Sequence, residues 1–374
     1  MHPASGIQYP ASVIPVFING LGCISPQKTT DPGHFLDDPL SFETNRLNSI
    51  DPGYKDFIPA ELIRRMGRII KMGVAASKMS LRDAGRIQTD GTLLAPEAII
   101  TGTGLGCLED TGKFLTSMIA NNEEFLTPTS FIQSTHNTVA GQIALLLKCH
   151  GYNFTFVHRG FSFESALLDA ITQIRSGEFS NLLVGGSDEI TSHSYSIMDR
   201  MGHWKQKPIH SINLLDDPQR GTIAGEGASF FFLENKKNDH TRAEIKGIAT
   251  ILNPSSTGEI AEKCRIFLNR QGLIPENIGL VISGMNGDPR YDKVYNDFIR
   301  ESFPDTPLAC FKHLCGDYQT ATAFALWMAA MIMDKQTVPQ VIRRKGEVTY
   351  PLENILIYNH YRNMEHSFIL VARA

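Results

Sequence analysis

Apolar residues in this chain fall into short continuous runs, separated by longer stretches with helical spacing. The runs Val16–Asn19, Ala98–Thr101, Asn181–Val184, Ser229–Leu233, Leu280–Ser283, Ile355–Tyr358 and Phe368–Val371 read as buried strands. Between them, apolar positions recur at three- and four-residue intervals over Ala60–Gly85, Thr138–Lys148, Ser162–Gly177 and Gln319–Lys335, which predicts helices. Gly177 follows Ile174 and Arg175 where a helix would stop and feed the next strand. Strands alternating with helices predict an α/β fold.

The same order occurs twice. Ala98–Gly106 resembles Leu280–Gly287, each a strand followed by a glycine turn. Thr138–Leu147 resembles Thr320–Met328, both rich in small residues, and Asn181–Gly185 resembles Asn354–Tyr358, each followed by a further apolar strand. Two similar halves packed sheet against sheet around central helices would explain the Ala, Gly and Thr in these helices, because close packing needs small side chains. No low-complexity linker separates the halves, so one compact body is expected.

Composition narrows the function classes only a little. A chain of 374 residues with 42% hydrophobic and 20% charged content has the make-up of an ordinary globule, long enough for one large core or two packed domains. The formal net charge of -4 offers no nucleic-acid surface, and any docking patch for an acidic partner must be local. No apolar run approaches the roughly 20 residues needed to cross a bilayer. Residues 1–10 lack a basic segment followed by an apolar core, so a cytoplasmic protein is expected. Cys23, Cys107, Cys149, Cys264, Cys310 and Cys315 form no CxxC pair, and the expectation is buried free thiols without zinc.

Short motifs exclude more than they assign. Gly102-Thr-Gly104-Leu-Gly106 begins like a dinucleotide fingerprint, but the sixth residue from Gly102 is Cys107, so a backbone turn is the better reading. The chain contains no GxxxxGK[ST] loop, no HExxH and no Gly-x-Ser-x-Gly elbow. No cofactor and no metal are expected. His158, His313, His360 and His366 read as packed or surface histidines.

Ordered blocks over nearly the whole chain resemble the β-ketoacyl-acyl-carrier-protein synthases of the thiolase superfamily. Val16–Pro26 is similar to their opening strand, and Phe131–Gly141 to the segment ahead of their nucleophile. Asp169–Gly186 is similar to the nucleophile-bearing helix and the strand after it, and Asp216–Ala228 to the family's "GEGA" segment. The resemblance implies a thiolase-like, duplicated α-β-α-β-α layered fold. Its first half would be residues 1–235, with dimerisation and cap segments, and its second half residues 236–374.

Position by position, the resemblance also implies a disarmed site. The family's nucleophilic cysteine falls at Gly160, its first histidine at Gly284 and its second at Asp317, while the lysine before that histidine is retained as Lys312. The glycine-rich gating loop is replaced by Tyr361–Glu365. Glycine has no nucleophile to offer, and an anionic Asp317 would repel a developing oxyanion. No catalytic residues are therefore expected, and the candidate substrate-binding residues are His158, Phe161 and Asn363. The implied role is a chain-length-factor-like subunit of fatty acid or polyketide (polyene pigment) synthesis. Its implied partners are an acyl carrier protein and an active ketosynthase in a heterodimer, or a second copy in a homodimer. Two other readings stay open: an active 3-oxoacyl synthase or acyltransferase rearranged around His158, Lys312 or Asp317, and a homodimeric acyl-binding protein. Pairing of an edge strand around Asn153–Val157, burying more than about 2,000 Å², is the expected mode of dimerisation.

Overall fold

A computed structural model describes residues 14–374 apart from 32, 34, 89, 90, 125 and 127. Residues 1–10, read above for a secretion signal, lie outside the described residues.

Five strands of each half share one order, and a sixth strand of the second half, Arg343–Lys345, ends the sheet at that side. In the first half, β1 (Phe17–Ile24), β2 (Ala98–Gly102), β3 (Tyr152–Phe156), β4 (Asn181–Asp188) and β5 (Gly227–Glu234) are arranged β3-β2-β4-β5-β1. In the second, β6 (Ala243–Leu252), β7 (Leu280–Ser283), β8 (Leu308–Cys310), β9 (Asn354–Tyr361) and β10 (Glu365–Ala372) repeat it as β8-β7-β9-β10-β6. Pairing senses repeat too. β2 runs parallel to β3 and β4, as β7 does to β8 and β9, and the remaining pairs are antiparallel. The halves join where β1 meets β6 through Phe17↔Glu244 and Ile18↔Ala243.

The helices that matter here are α1 (Arg68–Asp83), α2 (Thr138–Leu147), α3 (Ser162–Arg175), α4 (Thr257–Arg270), α5 (Pro289–Ser302) and α6 (Thr322–Lys335). They complete the five layers. α1 and α2 cover the outer face of the first sheet, packing on Ile99, Leu183, Phe230 and Phe232. α4 and α5 cover the outer face of the second, on Val281, Leu356 and Phe368. α3 and α6 lie between the sheets in the central core. Every residue of α6 from Thr322 to Met333 is buried, as befits a helix apolar on all sides.

The structure corrects three details of the sequence reading. Ala60–Gly85 is not one helix: a short turn at Ala60–Ile63 precedes α1, with Gly67 extended at the start of α1. A side chain at Gly67 would overlap the Asp110 carboxylate. The helix matching α6 is α3, not Thr138–Leu147, since α3 and α6 each precede the fourth strand of their half. Small residues report close packing and not the layer in which it occurs. β6 and β8 escaped the apolar-run reading. β6 alternates buried and half-buried residues, and β8 is three residues long.

Candidate active-site region

α3 begins beneath the end of the β9–β10 hairpin. A tight turn, Arg159–Phe161, leads into it, with Arg159 in the left-handed region at φ 47°. The Ser162 hydroxyl locks this turn, donating to Arg159 O (2.7 Å) and accepting from the His158 N–H (2.8 Å). Gly160 is buried, and it has no room for a side chain. A Cβ there would overlap the Tyr361 Cβ and lie 2.9 Å from both Tyr361 Cγ and Glu365 Oε2. Carbon contacts settle at about 3.5–4.0 Å, so a cysteine fits only if the hairpin moves.

The hairpin is tight because its turn is minimal. β9 and β10 pair in register down to Tyr361↔Glu365, and Arg362, Asn363 and Met364 connect them, with the Met364 N–H donating to Tyr361 O at 3.0 Å. Arg362 and Asn363 adopt left-handed φ values (53° and 55°), as the central residues of a type I′ turn over Tyr361–Met364 do. Tyr361 is thereby laid over Gly160. Glu365 is buried, and among the described residues neither of its carboxylate oxygens accepts a hydrogen bond; the Arg159 Nε lies 3.4 Å from Oε1. Glu164, in the first turn of α3, accepts from the Ser367 hydroxyl at 3.0 Å. Burial pushes its carboxyl up to about 7.

Gly284 follows the end of β7 and is filled in a similar way. A Cβ there would overlap the Asn359 amide oxygen and lie 2.7 Å from the Tyr295 hydroxyl. Asn359 is fixed by donating to Thr322 Oγ1 (2.8 Å) on α6 and accepting from the Tyr295 hydroxyl (3.2 Å). Tyr295 stacks on His360 at 4.1 Å, and that hydroxyl accepts from the His360 N–H at 2.7 Å. Burial holds the His360 imidazole well below its usual range and lowers His313 and His366 to about 4, so all three are neutral at pH 7.

Asp317 is buried and paired. Lys312 Nζ donates to Oδ1 at 2.7 Å, Asn286 Nδ2 donates to Oδ2 at 3.0 Å, and His203 Nε2 lies 3.6 Å from Oδ2. Burial works against this carboxylate, but the Lys312 ammonium, with the neighbouring His203, outweighs it and holds the group well below the usual range. It is an anion at neutral pH. The Asp317 backbone bridges to Ala224 of the glycine-rich segment, whose Glu226 accepts from Arg68 (2.6 Å), Ser49 N (2.8 Å) and Ile190 N (2.9 Å). The cavity beside Asp317 holds about 30 Å³ between His203, Trp204, Glu189, Tyr195 and Tyr361. That is room for a water, not an acyl chain.

The end of β9 therefore links the separated positions. Asn359 fills the space at Gly284, and Tyr361 fills the space at Gly160 and lines the cavity at Asp317. The candidate substrate-binding residues are less closely grouped. Phe161 is buried, with its ring 5.6 Å from that of His158, which is exposed. Asn363 is exposed at the hairpin tip, where its N–H donates to His360 Nδ1 at 3.2 Å. Sequence reasoning missed His203, Tyr295, Asn359 and Glu164, which no motif singles out. The one signal available was the Tyr361–Glu365 segment, which the resemblance sets where the family has a glycine-rich loop.

Comparison with known proteins agrees with this architecture. Residues 25–239, more than half of the chain, match the β-ketoacyl synthase N-terminal domain. A putative polyketide β-ketoacyl synthase 1 of Streptomyces virginiae is 22% identical over 352 residues, covering 84% of this chain and 81% of that protein. The fold is shared with the ishigamide ketosynthase/chain length factor (TM-score 0.78, 19% identity, 97% of this chain and 100% of that one). It is shared as well with a type II polyketide ketosynthase bound to a hexaketide and in complex with its acyl-carrier protein (TM-score 0.77, 15% identity, 97% and 100%). With the duplicated layers and the family's ordered segments in place, this chain belongs to the β-ketoacyl synthase family.

Proposed function

We propose that this chain is a non-catalytic, chain-length-factor-like member of its family, which pairs with an active synthase in fatty acid or polyketide synthesis, a polyene pigment pathway being the specific form. The observation that carries this reading is the filling of the Gly160 side-chain space by Tyr361. Condensation needs a nucleophile to hold the acyl chain and neutral donors to stabilise an enolate. Here the nucleophile position is blocked by a side chain, the first histidine position by Asn359 and Tyr295, and the second carries the paired Asp317 anion. Removing one oxyanion donor costs about a hundredfold or more in rate, and this site lacks both histidines as well as the thiol.

Pairing would use β3, which ends the sheet with its outer edge open among the described residues. Phe154 on it and Val157 just past its end stand about half exposed (46% and 47%), an aggregation liability unless covered. The similarity to a ketosynthase/chain length factor and to a ketosynthase bound to its carrier protein supports an active synthase and an acyl carrier protein as partners. Among the described residues no helix is long and apolar enough to cross a membrane. The repeated strand order supports a division of the halves at 235/236, between β5 and β6.

The test is co-expression with a synthase that carries an intact cysteine and with a carrier protein, followed by purification and intact-mass analysis. We expect a one-to-one complex in which acyl-carrier substrate adds mass to the synthase alone. A stable acyl adduct on this chain purified by itself would replace the reading with a rearranged acyltransferase. A homodimer that retains acyl groups without covalent attachment and ignores the synthase would replace it with an acyl-binding protein.

A further inference from the structure

A second feature lies away from the disarmed site, on the free edge of β6. That strand pairs with β1 only at Ala243 and Glu244, and beyond Ile245 its outer side carries no strand among the described residues. The edge forms the floor of a groove of about 640 Å³, walled by α3 on one side and α4 on the other. Thr250 and Leu252 are exposed along it. The walls are basic. Arg175 projects from α3, and Lys263 and Arg270 project two turns apart from α4, while no carboxylate lines the groove among the described residues. Nearby Glu244 is occupied by Lys246 at 3.1 Å. Arg175 Nη2 donates to Lys246 O at 2.8 Å, capping one carbonyl of the edge, and its buried Nε is left without a partner. Ile248, Ile266 and Phe267 supply apolar surface between the cations.

An open strand edge offers main-chain donors and acceptors in a row, which an extended segment satisfies by adding a strand. Flanking cations select the charge of that segment. The geometry points to this groove as the docking site for an extended, acidic polypeptide segment that adds to β6, with its carboxylates paired to Arg175, Lys263 and Arg270. This assignment stands apart from the proposed function, because the groove touches none of the residues at Gly160, Gly284 or Asp317.

The probe is a fluorescein-labelled ten-residue peptide of alternating aspartate and valine, with an alternating lysine and valine peptide as control, titrated into the full chain. Anisotropy should show saturable binding of the acidic peptide alone, weakening at least tenfold between 0.05 and 0.5 M salt on charge-screening grounds. Hydrogen exchange should slow at the amides of Gly247–Leu252. Lys263→Glu/Arg270→Glu changes two exposed residues and leaves Arg175 in place; it should bind at least tenfold more weakly with an unchanged melting temperature. Binding of equal strength to the double variant, or binding without protection of β6, overturns the assignment. So does protection of the same amides by dodecanoate but not by the peptide, which would make the groove a site for small anionic amphiphiles.

Discussion

Tyr361 stands where a side chain on Gly160 would have to grow, with its Cγ 2.9 Å from the position a Cβ would take. The two residues are far apart in sequence and meet because only three residues connect β9 to β10. The glycine at 160 and the short hairpin are thus sterically coupled, and altering either alone should not make room for an accessible thiol.

Gly160→Cys is accordingly expected to destabilise the chain by about 1–3 kcal/mol, the usual cost of overpacking a filled core. Gly160→Cys/Tyr361→Gly should recover part of that loss and present a thiol that iodoacetamide alkylates in the native state. The six natural cysteines are buried, so the new signal is readable. A single variant as stable as the parent in urea would mean that the hairpin yields easily and that Tyr361 is not a plug.

Lys312 and Asp317 form a buried ion pair at 2.7 Å. Lys312→Met strands the carboxylate, which typically costs about 3–5 kcal/mol, whereas Lys312→Met/Asp317→Asn should recover most of that loss. The sign with pH follows from the lowered carboxyl of Asp317. Its stabilising contribution is present above the unfolded value of about 3.9 and is lost as pH falls through the folded value. Urea midpoints at pH 7 should therefore show the full difference between Lys312→Met and the parent. No difference there would reassign Lys312 to a role outside the pair.

Glu164 predicts the opposite trend. Burial raises its folded value to about 7, so the folded chain keeps a proton that the unfolded chain has released. Between about pH 4.5 and 7 this lowers stability as pH rises, by roughly 1–3 kcal/mol in all. Glu164→Gln should raise the melting temperature at pH 8, with the gain shrinking toward pH 4.5. A gain independent of pH would show that Glu164 does not titrate on unfolding.

Phe154 tests the proposed pairing edge. Phe154→Lys places a charge on an exposed position of β3, where a lone chain should lose no more than about 0.5 kcal/mol. Light scattering at micromolar concentration should then report a shift from dimer to monomer, and co-purification with the synthase should fail. Dimers of unchanged strength would move the interface elsewhere.

Much of the architecture was legible in the sequence because burial on both faces leaves a direct mark. β7 and the cores of β4, β9 and β10 are continuous apolar runs, and α6 is apolar all round, so local composition alone located them. The proposal that the nucleophile is missing rests on a similar local reading: Gly160 is identified by its place in an ordered series of segments, and glycine carries no thiol. What the sequence could not decide were relations between residues distant along the chain. Nothing local marks Asn359 and Tyr295 as the groups that fill the space at Gly284, or His203 as the neighbour of Asp317. Nor could small residues in Thr138–Leu147 reveal an outer layer, since close packing demands them in any layer. Those outcomes depend on which side chains two sheets and a three-residue turn bring into contact, and only the tertiary structure sets that.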